Sequence, residues 1–467
     1  MTPVRILEVP YVRDSSTVAL LLAEREWPIW LDSGEGFPSH HIDILAADPL
    51  VKLCYDPAGT APNLAATCRQ PASLRECFSA MESQLNRYQH QQPLGPGWLG
   101  YLSYDLFNEI EPVTKRDKRE LMPELVLGFY GWVIVSHHQL AKTYIHYLPE
   151  QEQAVTGIAE QLTPLNQPNE KNNRAQHVQI SGFQLDSKFT ANISRSDYKE
   201  QFSGAQTYIQ QGDCYQINLT QQFSADCSGK GLAAYLALRN AHPSPMSAYF
   251  DCNEFDILSL SPERFIRRNG RRITSHPIKG TRPRHTDKNL DQDLKQALQN
   301  SSKDRAENVM IVDLLRNDLG RICRTGSVVT SQLFDVESFP NVHHLVSAIE
   351  GQLPDEIGLA QILQAVFPGG SITGAPKIRA MEIIEELEPH RRGVYCGSVV
   401  FFSGNGDIDS NIAIRTLVRK DSRIYCWGGG GIVADSNCDS EYQETLDKVG
   451  KLMQILETRF LTKPPGR

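Results

Sequence analysis

Two short segments carry side chains able to do covalent chemistry. Ser261-Pro262-Glu263-Arg264-Phe265 places an acid on a turn, and Pro277-Ile278-Lys279-Gly280-Thr281 places an amine on the returning edge of the same hairpin. A glutamic acid can protonate a leaving oxygen. A lysine partly out of water and beside a carboxylate can attack as the free amine. The same two residues also describe an ordinary ion pair. A second pattern is acidic. Asp304 and Glu307 fall one turn apart on one helical segment, and Glu441, Glu444 and Lys448 share a face of another, with Tyr442, Leu446, Val449 and Met453 marking its core side. Carboxylates converging from two helices suit Mg²⁺, a hard ion that takes a few carboxylates, waters and a substrate anion. On spacing alone each set reads first as a solvated acidic face, favoured near a helix start by the macrodipole.

Two glycine-rich stretches offer backbone rather than side chains. Phe367-Pro368-Gly369-Gly370-Ser371-Ile372-Thr373-Gly374-Ala375-Pro376-Lys377 feeds a helix, an arrangement that is either an anion cradle or a tight strand-to-helix turn. It is not a Walker A loop, since Ala375 and not Lys-Ser/Thr follows Gly374. In Trp427-Gly428-Gly429-Gly430-Gly431-Ile432 four glycines in a row imply close approach of another chain segment or a ligand. The pairs His40-His41, His137-His138 and His343-His344 have no partners at metal-ligand spacing, and Arg267-Arg268 with Arg271-Arg272 reads as a solvated hairpin loop.

The elements that must hold these residues are partly legible. Ser194 or Ser196 caps a helix with Tyr198, Phe202, Ala205 and Ile209 on its buried side, stopped by Gly212-Asp213. Cys214 to Phe223 alternates, which predicts a half-buried strand with Gln216, Asn218 and Thr220 on its polar face. A strand at Asp256–Leu260 and a hairpin turning at Asn269-Gly270 follow, with Pro277 at a strand end or sheet edge. Helices are expected near 287–300 and 303–316, with Asn317 to Arg321 as a helix end, and a last helix at about 441–461 capped by Ser440 and Gln443. Hairpins mixed with helices point to α+β or mixed α/β rather than a doubly wound sheet. The apolar run Leu125 to Val135 is too short to span a bilayer and reads as one or two buried strands.

Composition excludes several classes. The chain has 467 residues, and 47 Lys and Arg against 55 Asp and Glu give a formal charge of −8. An acidic chain is a poor general nucleic-acid binder. Its ten cysteines never form Cys-x-x-Cys, and with no signal-peptide core they imply a reducing, cytoplasmic setting. Length alone allows about three domains. The one compositional dip, between about 148 and 182, is rich in Gln, Asn, Pro and Glu; its first part, 150–162, could be helical.

Taken together and in order, Gly212–Gln222, Ser261–Glu263, Pro277–Thr281, Asp304–Arg321, Phe367–Glu388, Gly397–Thr416 and Gly428–Lys448 resemble the chorismate-utilising enzymes. Leu31-Asp32-Ser33-Gly34 and Ala46-Ala47-Asp48-Pro49 extend the likeness into the N-terminal third. The resemblance implies two packed antiparallel sheets with helices outside, the fold of anthranilate synthase component I. It also implies one large domain, in which 1–150 intertwines with the catalytic portion 190–467 and 150–190 is a loop. Two positions discriminate within the family. Gln216 stands where isochorismate and salicylate synthases carry a water-activating Lys, and Gln is no base. Lys279 stands where anthranilate synthases carry Ala, and Pro-Ile-Lys-Gly-Thr resembles the branch that aminates chorismate at C4 on the way to para-aminobenzoate and folate.

That likeness implies roles for individual residues. Glu263 is the general acid on the C4 hydroxyl, and Lys279 is the nucleophile at C2. Mg²⁺ is held by Glu307 and Glu444 with Glu441 nearby. Gln216, Thr281, His344, Ser371, Tyr395, Arg415, Gly429, Gly430, Gly431 and Lys448 surround the substrate. Ammonia is expected from a separate glutamine amidotransferase subunit, since no Gly-x-Cys-x-Gly elbow occurs in the chain. Ser33, His41, Ile42, Pro245, Met246 and Ser247 fall where such proteins bind tryptophan, expected here to be structural; Glu35, Gly36 and Ser39 depart from the usual local sequence. The rival readings are an anthranilate synthase, disfavoured by Lys279, and a non-catalytic tryptophan- or chorismate-binding regulator, disfavoured by the full set Glu263, Lys279, Glu307 and Glu444.

Overall fold

The computed structural model describes residues 3–34, 37, 41–111, 113–163, 182–339 and 342–462. Glu35, Gly36, Ser39, His40 and the segment 164–181 of the polar dip lie outside them, while the expected helix within the dip is present as Glu152–Leu162. Among the described residues, two antiparallel sheets of thirteen and ten strands carry the chain. Each sheet mixes early and late strands. In the first, Ile29–Asp32 pairs with Met246–Asp251; in the second, Gly97–Leu102 pairs with Ser398–Ser403. The apolar run from Leu125 forms two strands, Leu125–Tyr130 and Trp132–His137, buried along nearly their whole length.

The main core lies between the sheets. Trp98, Phe129 and Phe401 from one meet Phe250, Val418 and Trp427 from the other. A second cluster joins the outer face of the first sheet, through Trp30, Ile134 and Ile424, to helices carrying Leu22, Ile158, Tyr235, Val449 and Leu456. The fold is therefore mixed α+β with helices outside packed sheets.

Several local expectations hold. The helix Arg195–Gln211 has a capping box between Ser194 and Asp197 and ends at Gly212, whose φ of 84° glycine adopts without strain. Pro277 sits between the strands Arg272–Ser275 and Ile278–Pro283, a strand end, and the helix Ser302–Gly320 runs through the predicted helix end at 317–321.

Others are corrected. The strand Gln216–Ser228 is buried on both faces over 216–221, not half-buried. Its polar face is covered because Asn218 Nδ2 donates to the Ile372 carbonyl and Thr220 bonds Glu388. The last helix, Cys438–Phe460, starts earlier than the spacing suggests. Asn437 rather than Ser440 caps it, its Oδ1 accepting from the N–H groups of Asp439 and Ser440. On that helix Glu441 lies with Thr445, Val449, Leu452 and Leu456 on the buried side, not on a solvated face. At the hairpin Asn269 pairs with Arg272, so the turn is Gly270-Arg271, one residue later than expected. The arginines around it are not a free loop: Arg267 and Arg268 lie in the strand Arg264–Asn269, and Arg264, Arg267 and Arg272 line a cavity of about 650 Å³.

Candidate active site

Glu263 stands on the turn between Phe255–Ser261 of the first sheet and Arg264–Asn269 of the second, and Lys279 lies on Ile278–Pro283, a strand of the second sheet that pairs with Val342–Gln352. Glu263, only 5% exposed, follows a turn fixed by Ser261, whose Oγ accepts from the Glu263 N–H and donates to the Ile412 carbonyl. Lys279 lies in a register shift where Ile278–Pro283 meets Val342–Gln352. Gly280 makes that bulge possible: its φ is 81°, and a Cβ there would press on Leu298 and Asp304 at 2.8–2.9 Å. The bulge aims Lys279 away from the 650 Å³ cavity, which takes Arg272, Thr274, His276 and Ile278 from the other side of the same stretch.

Both side chains meet the glycine-rich segment. Ser371 Oγ donates to Glu263 Oε1 at 2.7 Å, and Lys279 Nζ donates to the Ser371 carbonyl at 3.3 Å. Burial pushes the Glu263 carboxyl up to about 7, against the opposing pull of Ser371 and Lys279. Burial likewise lowers the Lys279 ammonium, outweighing the support of Glu307 and Glu263. The acid is thus biased toward its protonated form and the amine toward its free base.

Acidic side chains from two helices face the same place. Burial raises Glu307, with Lys279 and Lys303 opposing and Glu444 adding. Burial also raises Glu441, whose Oε1 accepts from Ser436 Oγ at 2.7 Å. Burial pushes Glu444 up too, but Lys448, at 2.8 Å, carries it below its ordinary value. Asp304 does not join them; it is bound to Arg282 at 2.9 Å. Among the described residues no set of three or more His, Cys, Asp or Glu is arranged to hold a metal by itself. The donor chemistry still fits Mg²⁺, which binds through one or two carboxylates and completes its octahedron with water and substrate oxygens.

The glycine run lies inside the strand Arg423–Val433, paired residue for residue with Gln216–Ser228. A Cβ at Gly429 would collide with the Leu219 carbonyl, and one at Gly431 with the Gln216 amide. At Gly430 it would stand 3.1 Å from Glu441 Oε2 and 3.7 Å from Glu444 Oε1. Lys448 Nζ donates to the Gly429 carbonyl at 2.9 Å. Gln216 is buried, and its Oε1 has no hydrogen-bond partner, so it can accept from a ligand.

Of the other expected substrate residues, Thr281, His344 and Arg415 lie together and Tyr395 packs on the glycine-run strand. Thr281 Oγ1 and His344 Nδ1 are 2.9 Å apart, and burial followed by the Arg415 charge pushes His344 down to about 3, leaving it neutral. Arg415 borders a cavity of about 20 Å³ with His242, Pro262, Phe339 and His344, and burial lowers its pKa. Tyr395 is buried and stacks on Trp427, centroids 6.1 Å apart. Ser33, His41, Ile42, Pro245, Met246 and Ser247 line one separate cavity of about 120 Å³. Beneath it Asp43 accepts from Ser33 N and Oγ at 2.8 Å and pairs with His138 at 3.0 Å. Sequence reasoning missed Glu388 and Arg392, a buried pair beneath Ser371; their i, i+4 spacing at the end of the helix Lys377–Leu387 was the available signal.

A buried acid, an amine whose proton affinity burial lowers and carboxylates from two helices, gathered around two glycine-rich segments, fit an enzyme that handles a small anion. The model of chorismate binding enzymes matches residues 36–454, so the chain belongs to that family. Aminodeoxychorismate synthase component 1 of Salmonella typhimurium is 41% identical over 439 residues, covering 92% of this chain and 93% of that one. Anthranilate synthase component 1 of Geobacillus stearothermophilus is 34% identical over 407 residues, covering 83% and 79%. Among solved structures, anthranilate synthase component I from Streptococcus pneumoniae superposes with a TM-score of 0.74 at 30% identity, covering 90% of this chain and 93% of that one. No helix among the described residues is long and apolar enough to cross a membrane.

Proposed function

We propose that this chain converts chorismate and ammonia into 4-amino-4-deoxychorismate. The observation that carries the reading is the joint tie of Glu263 and Lys279 to Ser371, with their proton affinities displaced in opposite directions. Lys279 as free amine attacks C2 of the ring. The ring double bonds shift, the C4–O bond breaks, and Glu263 gives its proton so that the hydroxyl leaves as water. Ammonia then forms a bond to C4, the double bonds shift back, and the C2–N bond breaks to return Lys279 as an amine. Glu263 recovers a proton from the ammonium group so formed. An Ala in place of Lys279 would leave ammonia to attack C2 directly, which is the chemistry of an anthranilate synthase.

Glu307 and Glu444, with Glu441 nearby, would hold Mg²⁺, which when bound would neutralise the ring carboxylate. Lys448, Arg415 and the Gly429–Gly431 backbone would contact the substrate's carboxylates, and Thr281, His344, Tyr395 and Gln216 would shape the pocket around the ring. Ammonia would come from a glutamine amidotransferase partner, and the two halves of the chain would work as one unit. Tryptophan in the 120 Å³ cavity lined by Ser33, His41, Ile42, Pro245, Met246 and Ser247 would be structural. Acid release of tryptophan from the purified chain tests that assignment.

The deciding experiment supplies the purified chain with chorismate, Mg²⁺ and an ammonium salt and identifies the product by mass. We expect 4-amino-4-deoxychorismate. Anthranilate with pyruvate as the main product would sink the reading, and isochorismate as the main product would show that Gln216 does not block water addition.

A further inference from the structure

Ser371 is held by a residue that touches neither Glu263 nor Lys279. Arg392 is 1% exposed, and four of its five N–H donors are engaged. Nε donates to Glu388 Oε2 at 2.9 Å and Nη2 to Glu388 Oε1 at 2.7 Å. Nη2 also donates to the Asn218 carbonyl at 2.6 Å, and Nη1 to the Ile372 carbonyl at 2.9 Å. The guanidinium lies over the Tyr104 ring, 4.6 Å from its centroid. Glu388 is in turn fastened to the strand Gln216–Ser228, accepting from Thr220 N at 2.8 Å and Thr220 Oγ1 at 2.7 Å.

A buried ion pair is a poor stability device, since apolar residues of equal volume often do as well. This pair has a different yield. Its fork joins the strand that carries Gln216 to the carbonyl one residue past Ser371. A Cα shift of the 370–373 segment would carry the Ser371 hydroxyl away from Glu263 and its carbonyl away from Lys279 together. Asn218 Nδ2 adds a parallel tie to the same Ile372 carbonyl at 3.1 Å. The Tyr395 N–H, donating to the Arg392 carbonyl at 3.1 Å, extends the hold to the ring that packs on the glycine-run strand.

We propose that Arg392, anchored by Glu388, is a positioning residue that fixes Ser371 between the acid and the amine, and so sets their alignment with the ring. The inference rests on the reading that Glu263 and Lys279 carry the reaction. Lysine cannot replace the fork, because its donors radiate from one point and cannot span Glu388, Asn218 and Ile372 together.

A double-mutant cycle tests it, using Arg392→Lys, Ser371→Ala and the pair, with kcat and KM measured for chorismate consumption and the product identified separately. Arg392→Lys should lower kcat about 10- to 100-fold, the penalty expected of a displacement near 1 Å, while KM stays within about threefold. In the Ser371→Ala background the same change should lower kcat by clearly less, because only the carbonyl tie to Lys279 is left to lose. Equal losses in both backgrounds, or an undiminished kcat in Arg392→Lys, would overturn the proposal. If Arg392→Lys does not fold, Thr220→Val, which removes one anchor of Glu388, takes its place, and additivity there overturns the proposal in the same way. Consumption of chorismate reads the cycle whatever is made, so an unexpected product would unseat the proposed reaction without touching this inference.

Discussion

Glu263 and Lys279 hydrogen-bond opposite ends of one residue, the acid meeting the Ser371 hydroxyl and the amine its carbonyl. The two are thereby held at a fixed offset without an ion pair between them, which would have locked both in the wrong charge state. Lys279→Ala should abolish the C2 adduct and slow C4 amination by at least about 100-fold, with nitrogen diverted to C2 as anthranilate. Mass analysis of products from chorismate and ammonium reads both changes. Undiminished C4 amination in the variant would remove the covalent step.

The displaced proton affinities make a pH prediction with a definite sign. Glu263 must be protonated to act, and burial raises its carboxyl to about 7; Lys279 must be free base, and burial lowers it. The kcat/KM profile should be bell-shaped, with a limb near pH 7 that disappears in the weakly active Glu263→Gln. Stability follows from the same shift. Between pH 4.5, the ordinary value, and about 7 the folded chain keeps a proton that the unfolded chain has released. Stability therefore falls as pH rises through that window. A displacement of this size corresponds to about 3 kcal/mol. Glu263→Gln should raise the thermal midpoint at pH 8 and leave it nearly unchanged at pH 4; a variant less stable than wild type at pH 8 would contradict the buried-acid account.

The reach of the sequence has a physical pattern. Features set by local chemistry were readable: the Ser194 cap, the αL stop at Gly212, Pro277 at a strand end and the two strands from Leu125. Features set by what packs on top were not. Gln216, Asn218 and Thr220 alternate as a solvated face would, yet a glycine strand and the 370–373 segment cover them. Glu441 has the spacing of a surface acid and is buried because glycine at 430 leaves it room. The Glu388–Arg392 pair lay unseen for the same reason, since nothing in an i, i+4 pair says whether it faces water.

Magnesium should bind in a way that depends on substrate. Glu307 and Glu441 are raised by burial and Glu444 is already paired with Lys448, so the protein alone offers few free anionic donors. Mg²⁺ alone should move the thermal midpoint little, and Mg²⁺ with chorismate should move it by more than the two separate shifts combined. Glu307→Gln should weaken that synergy and raise the Mg²⁺ needed for turnover about tenfold or more. A large shift from Mg²⁺ alone would mean that the carboxylates form a complete site without substrate.

The glycine run separates two demands that one substitution each can tell apart. At Gly429 a Cβ would meet the Leu219 carbonyl of the paired strand, and backbone cannot move aside without breaking the ladder. Gly429→Ala should therefore cost about 1–3 kcal/mol of stability, read as a lower thermal midpoint. At Gly430 the new methyl would stand 3.1 Å from Glu441 Oε2 and 3.8 Å from Lys448 Nζ, side-chain ends that can yield. Gly430→Ala should leave the midpoint nearly in place and instead raise KM for chorismate and the Mg²⁺ requirement, because the methyl occupies the space between the acids and the substrate. Equal stability losses at the two positions would mean that the run serves strand packing alone. A change in KM confined to Gly430→Ala would identify that glycine as the point where the strand opens to the ligand.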